Sequence, residues 1–314
     1  MAKYRNNLPQ LSGDLYLTDG GIETTMIFHE KLDLPEFAAF TLLNNPRGID
    51  ALNRYFHAHC QIASTHQVGF ILETITWRAS HDWSIKLGYS KQELDKLLHK
   101  AVEFLLPFRD LYENDHTKMV ISGCVGPRGD GYVPSEIMSV DEAQDYHAMQ
   151  INTLSNTDAD MVTALTFNYV EEAIGVVRAA RACDMPIVLA FTVETDGRLP
   201  TGQTLKDAIE QVESESDQAP VYYKINCAHP THFEDVVSTG ESWLERIHSI
   251  RANASSCSHA ELDEAEELDE GDPLELAQQY LALVEKLPNL NVLGGCCGTD
   301  SKHIETICRA CINR

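Results

Sequence analysis

Three cysteines carry most of the chemistry in this sequence. Cys296 and Cys297 are adjacent in Leu293-Gly-Gly-Cys-Cys-Gly-Thr-Asp300, and Cys227 closes the stretch Tyr223-Lys-Ile-Asn-Cys227. Adjacent cysteines do not readily bridge each other, because a trans peptide holds their Cα atoms about 3.8 Å apart, closer than a relaxed disulfide requires. The chain has nine cysteines, an odd number, and no apolar run of signal-peptide length at its start. They therefore read as thiols or metal ligands and not as a disulfide framework. Three thiolates around one point suit zinc, and three protein ligands beside one open position is the catalytic form of such a site. Three thiolates more than cancel the charge of the metal, so this donor set favours activating an incoming thiol over activating water.

The remaining cysteines and histidines offer weaker chemistry. Cys60, Cys124, Cys183 and Cys257 read as buried small apolar side chains or incidental thiols. Cys308-Arg-Ala-Cys311 has the spacing for a closed structural site with Cys296 and Cys297, but falls within a helical pattern and not on a knuckle-like turn. His229, His232, His259 and His303 form no ligand pair of the HExxH kind. His229 and His303 follow the cysteine motifs and read as helix caps or as supports to the ligands. No Walker loop is present, and the lone Gly126-Pro-Arg-Gly-Asp-Gly131 does not define a phosphate site.

For Cys227 to meet Cys296 and Cys297, the elements carrying them must end at one rim. Short apolar runs alternate with longer amphipathic stretches, giving strands at 15–18, 69–73, 119–123, 160–166, 186–193, 222–226, 249–253 and 291–295. The seventh, with Ser249-Ile-Arg-Ala-Asn253, has little apolar content. Ser90 with Glu93 and Ser139 with Glu142 fit capping boxes. Helices are also expected over 272–287 and, capped by Asp300, over 300–312. Eight such repeats over 314 residues, without a linker, predict one (β/α)8 TIM-barrel domain spanning residues 1–314 and not an open doubly wound sheet. In that fold the chemistry gathers at the C-terminal strand ends, which carry Asp19, Thr74, Thr166, Asn226, Cys227, Cys296 and Cys297. The acidic segment 258–273 reads as a surface loop or short helix that can form one rim of the site.

Lys and Arg number 24 against 48 Asp and Glu, a net charge of −24, which argues against nucleic acid or an anionic membrane as partner. No segment offers about 18 consecutive apolar residues. The expectation is a cytoplasmic protein whose partners are small molecules; oligomeric state is not legible.

Asp19-Gly-Gly21, Thr74-Ile-Thr76, the Gly123-Cys-Val-Gly-Pro-Arg-Gly-Asp-Gly-Tyr132 loop, Asn226-Cys227 and Gly294-Gly-Cys-Cys-Gly-Thr299 together resemble the homocysteine S-methyltransferase family, zinc-dependent thiol methyltransferases built on (β/α)8 barrels. The resemblance runs over 15–303. It implies that Cys227, Cys296 and Cys297 bind Zn2+, and that Asp19, Gly20 and Thr74, with Thr166 and Asn226, surround the acceptor. The implied reaction moves a methyl group from an activated donor such as S-methylmethionine, betaine or a methylfolate to homocysteine, forming methionine. A chain without an added module fits the sulfonium or quaternary ammonium donors better than a cobalamin-dependent route.

One position departs from the family pattern. The family's fourth strand ends in Glu-Thr, where this chain has Leu165-Thr166, and a leucine cannot pair with a substrate ammonium. Glu171, Glu172 or Glu194 are candidates to restore the charge; otherwise the acceptor is a different thiol. Trp77, Tyr132, Phe167 and Tyr169 lie where an aromatic cage for a cationic donor would form. An inward Arg78 would oppose such a donor, while Arg128 or Arg198 would suit a carboxylate. The rival readings are a non-catalytic metal-binding or redox-sensing barrel, and a metal-free barrel lyase or hydrolase.

Overall fold

A computed structural model describes residues 1–134, 136–264 and 267–313. Eight parallel strands close into a barrel in sequence order: β1 (Tyr16–Leu17), β2 (Gly69–Glu73), β3 (Met119–Val125), β4 (Met161–Phe167), β5 (Ile187–Phe191), β6 (Tyr223–Asn226), β7 (Ile247–Ala252) and β8 (Val292–Gly295). β1 closes the ring by pairing with both β2 and β8, Tyr16 standing opposite Gly69 and Val292. The expected (β/α)8 architecture is the one observed. β7 begins two residues earlier than its pattern suggested, and β3 and β4 run further towards the rim.

The longer helices are α1 (Pro46–His66), α2 (Lys91–Tyr112), α3 (Val140–Ser155), α4 (Val170–Ala182), α5 (Leu205–Glu215), α6 (Pro273–Lys286) and α7 (Ser301–Cys311). Both expected capping boxes start their helices, Ser90 at α2 and Ser139 at α3. Asp300 caps α7, accepting from the amides of Lys302 and His303. The β6–β7 connection departs from the repeat: Pro230–Phe233 and two 3-10 turns, Val236–Ser238 and Ser242–Arg246, stand where a long helix was expected. Pro230 occupies the first position of its short helix, and Gly240 adopts φ +69°, which breaks a continuous helix there. The acidic segment contains one short helix, His259–Asp263, with its own Ser258 capping box; its residues 265 and 266 lie outside the described residues.

Apolar residues on the outer strand faces, including Leu17, Phe70, Met119, Val162, Ile187, Ile225 and Leu293, form one continuous core with the buried helix faces. The inward faces form layers, as the two-residue side-chain period requires. Tyr16, Ile71, Val120, Met161, Val188, Tyr222 and Val292 fill the bottom. One step up, Glu73, Ser122, Thr163, Lys224 and Ser249 make a buried polar layer, with the Ser122 and Thr163 hydroxyls 2.7 Å apart. Cys124, Leu165 and Ala190 lie above it, packed against Trp77.

Candidate active site

β6 and β8 flank β7, and their ends bring Cys227 and Cys296 to a Cα–Cα distance of 5.4 Å. The sulfurs of Cys227, Cys296 and Cys297 all lie within 4.8 Å of one another. Among the described residues no other group of histidine, cysteine or acidic side chains gathers in this way. Cys308 and Cys311 lie buried on α7, outside the cluster. The cysteines read as thiols or metal ligands and not as a disulfide framework; one pair departs from this, Cys227 and Cys296 being joined as a disulfide, which leaves Cys297 as the exposed thiol of the three. The cause is proximity, since strand ends close enough to share one metal ion are also within disulfide range. The hydroxyl of Tyr132 lies 3.7 Å from the Cys297 sulfur.

The loop carrying the pair is shaped by close packing. A Cβ on Gly294 would lie 1.8 Å from the Thr18 hydroxyl. Of the three glycines beside the pair only Gly298, at φ +79°, supplies a left-handed turn, and Gly294 and Gly295 provide room. Cys227 itself is left-handed at φ +54°. So is Thr166, at φ +64°, where β4 bulges between Ala164 and Phe167. A β-branched residue in that region is strained. Two hydrogen bonds hold it: the Thr166 amide donates to Asn226 Oδ1 at 2.9 Å, and Asn226 Nδ2 donates to Thr166 Oγ1 at 2.8 Å.

Beneath the cluster lies an ion network that the motifs did not reveal. Arg251 reaches Asp19 at 2.9 Å and Glu73 at 3.0 Å, and donates to the carbonyl of Gly295. Lys224 bonds the other Glu73 oxygen at 3.0 Å. Burial alone would raise the pKa of Glu73, but Lys224 and Arg251 together outweigh it and hold the carboxyl low. For Asp19 burial wins and its pKa is raised. Arg251 sits in the strand with little apolar content, and its placement two residues from other inward positions was the available signal.

The other expected residues are placed as follows. Asp19 is buried, and its Oδ1, although 2.9 Å from Arg251, lacks a well-directed hydrogen bond, while Oδ2 accepts from Tyr55. Gly20 donates its amide to His59 Nε2. The Thr74 hydroxyl accepts from the Cys124 amide and lies 2.6 Å from that of Thr76, so it serves the strand ends. Leu165 is 7% exposed in its apolar cluster. Glu172 is engaged by His147 and by the Arg128 amide, and Arg128 pairs with Asp82. Glu171 and Glu194 are half-buried, and Arg198 donates to the Gly202 carbonyl. His229 and His303 cap helices.

The four rim aromatics do not assemble into a cage. Phe167 is in the core, Tyr169 accepts from the Met138 amide, and Tyr132 stacks on His259 at 4.2 Å. The face of Trp77 is covered by the Arg78 guanidinium at 4.1 Å. His259 belongs to the acidic segment, which thereby forms one side of the rim. Among the described residues no helix is long and apolar enough to cross a membrane.

Comparison with known proteins follows the same lines. A family model described as homocysteine S-methyltransferase matches residues 16–311. Homocysteine S-methyltransferase 2 of Arabidopsis thaliana is 24% identical over 96% of this chain and 95% of its own. Selenocysteine Se-methyltransferase of Brassica oleracea var. italica is 23% identical over 96% of this chain and 90% of its own. Crystal structures of the homocysteine methyltransferase MmuM from Escherichia coli share the fold. The oxidized form has a TM-score of 0.76 at 16% identity, covering 97% of this chain and 99% of that one. The metallated form has a TM-score of 0.72 at 18% identity, covering 94% and 95%.

Proposed function

Because this chain belongs to the homocysteine S-methyltransferase family, we propose that it transfers a methyl group from an activated donor to the thiolate of homocysteine, with zinc held by Cys227, Cys296 and Cys297 in their reduced state. The observation that carries this reading is the meeting of three sulfurs, from the ends of two strands, within 4.8 Å. The donor set fits: tetrahedral zinc with Zn–S bonds of about 2.3 Å spaces its sulfurs about 3.8 Å apart. Zinc would supply Lewis acidity that lowers the pKa of the acceptor thiol while keeping the sulfur electron-rich.

The chain's own residues position and enclose. Asn226 and Thr166 lock the turn from which Cys227 projects. Arg251 anchors the Gly295 carbonyl one residue before Cys296. Asp19, held by Arg251 and Tyr55, stands at the end of β1 beside the acceptor. Tyr132 and His259 cover the mouth beside Cys297, restricting water around the nucleophile. In the transfer, the acceptor sulfur attacks the methyl carbon in line; the S–C bond forms as the donor's bond to that methyl breaks. The leaving group departs with the bonding pair, and the thiol proton is lost to solvent.

The test is metal content with product formation. Reduced protein is expected to hold about one zinc per chain, and Ser at Cys227, Cys296 or Cys297 should abolish both metal and methionine formation. Cys308→Ser should leave the metal in place. Unchanged zinc in all three cluster variants would sink the reading. A second reading, a thiol or selenol acceptor other than homocysteine, is favoured by the absence of a carboxylate at Leu165, and a panel of acceptors assayed with each donor separates the two.

A further inference from the structure

Two charged side chains at the barrel mouth have no ion-pair partner within 4 Å among the described residues. Glu23 follows the Asp19-Gly-Gly21 turn, between Gly21 and Thr24, both of which touch the cysteine loop: the Gly21 amide donates to the Thr299 carbonyl, and Thr24 Oγ1 accepts from the Gly298 amide. Its carboxylate is half-buried and, among the described residues, meets no hydrogen-bond or ion-pair partner on any other residue. It lies within electrostatic reach of Cys297, Cys124 and Tyr132.

Arg78 is the complementary case. It is 5% exposed, sandwiched between the rings of Trp77 and Trp83 at 4.1 and 4.0 Å. Nη1 donates to the Gly129 carbonyl, and Nε has no partner. The other two buried arginines, Arg109 and Arg251, are both held in ion pairs. A buried guanidinium without a carboxylate is costly unless a ligand supplies one. Glu23 and Arg78 feel each other's charge without forming a salt bridge, Arg251 acting more strongly on Glu23 and Asp130 more strongly on Arg78, each without a direct contact. Burial raises the pKa of the first and lowers that of the second, so each charge is left undercompensated by the protein alone.

A zwitterion would satisfy both at once. We propose that Glu23 and Arg78 are the amino-acid recognition pair of this site, Glu23 receiving the ammonium and Arg78 the carboxylate of an α-amino-acid thiol or selenol, in place of the carboxylate absent at Leu165. The inference rests on the methyltransferase reading for the identity of the reacting atom, but the recognition itself is measurable as binding. It accounts for an apolar 165 without abandoning an amino-acid acceptor. It also explains why the Trp77 face is occupied by a protein cation and is closed to a cationic donor.

The experiment is calorimetric titration of reduced, zinc-loaded protein with homocysteine, with 4-mercaptobutanoate, which lacks the ammonium, and with 3-aminopropane-1-thiol, which lacks the carboxylate. The unmodified protein should prefer homocysteine to each analogue by about tenfold to a hundredfold, the range for a hydrogen bond to a charged group. Glu23→Gln should erase the preference over 4-mercaptobutanoate alone, and Arg78→Met the preference over 3-aminopropane-1-thiol alone. Glu23→Asp and Arg78→Lys, with zinc content and melting temperature measured alongside, should restore part of each preference and separate recognition from folding. Ratios unmoved in folded variants, or no homocysteine binding to the unmodified protein, would overturn the proposal. Product formation with unmoved ratios keeps the methyltransferase reading and rejects the pair. Correct ratios without methyl transfer from any donor keep the pair and reject that reading.

Discussion

Asn226 does more for the cluster than its position beside a ligand suggests. It holds Thr166 in a left-handed conformation from across the barrel mouth while its own chain turns left-handed at Cys227. Strain of this kind persists only where neighbours impose it. Asn226→Ala removes both bonds, and a loss of about 1–3 kcal/mol in stability is expected, the range for stranding buried polar groups. Zinc affinity should fall by about tenfold to a hundredfold, as for other residues that orient ligands. Denaturant melts and competition with a chelator measure the two separately. The sulfur cluster was legible because a ligand at the end of an apolar strand has one place to go in a parallel barrel. The strain at Thr166 was not, because a bulge depends on pairing between β4 and β5 that one strand's sequence does not contain. Glu23 was hidden for a related reason: Ile22-Glu-Thr24 reads as an ordinary helix start, and what marks Glu23 is the absence of a partner.

Helix ends set the rim as firmly as the strands do. Asp300 terminates the cysteine loop by capping α7, and also contacts His303 Nδ1 at 2.8 Å. Removing the cap with Asp300→Ala should cost about 1 kcal/mol. Burial opposes ionisation of Asp300, but His303 and the α7 amides overcome it and bring its pKa down to about 2. A depressed carboxylate stabilises the fold above its unfolded-state pKa and loses that contribution as pH falls through the folded value. The difference in melting temperature between the unmodified protein and Asp300→Asn should therefore be constant near neutrality and shrink as pH falls from about 4 to about 2. The capping boxes at Ser90 and Ser139 were readable because their bonds are local. The short turns of the β6–β7 connection were less so, since regular alternation elsewhere suggested a helix that Gly240 interrupts.

Across the whole barrel, four strands are tied by charge: Asp19 lies just beyond β1, Glu73 is on β2, Lys224 on β6 and Arg251 on β7. Apolar patterning could count these strands but could not show that their interior is ionic. The poor apolar content around Arg251 was the trace of that layer in the sequence. Lys224→Met leaves Glu73 short of one partner and should destabilise the protein by about 3–5 kcal/mol, the range for breaking a buried pair. Adding Glu73→Gln should recover part of the loss in equilibrium unfolding, because the stranded charge is removed with it. The shortness of β1 carries a consequence in time as well as in space. It spans two residues where β3 and β4 span seven each, so the ring has one weak stave. The amides of Tyr16 and Thr18, bonded to Asn291 and Leu293, should exchange with deuterium through partial openings well before those in the middle of β3 and β4. Asp19 and Cys296 follow the two strands of the β1–β8 seam, so an occupant touching both would latch it, and its residence would register as slowed exchange at two amides that never contact it.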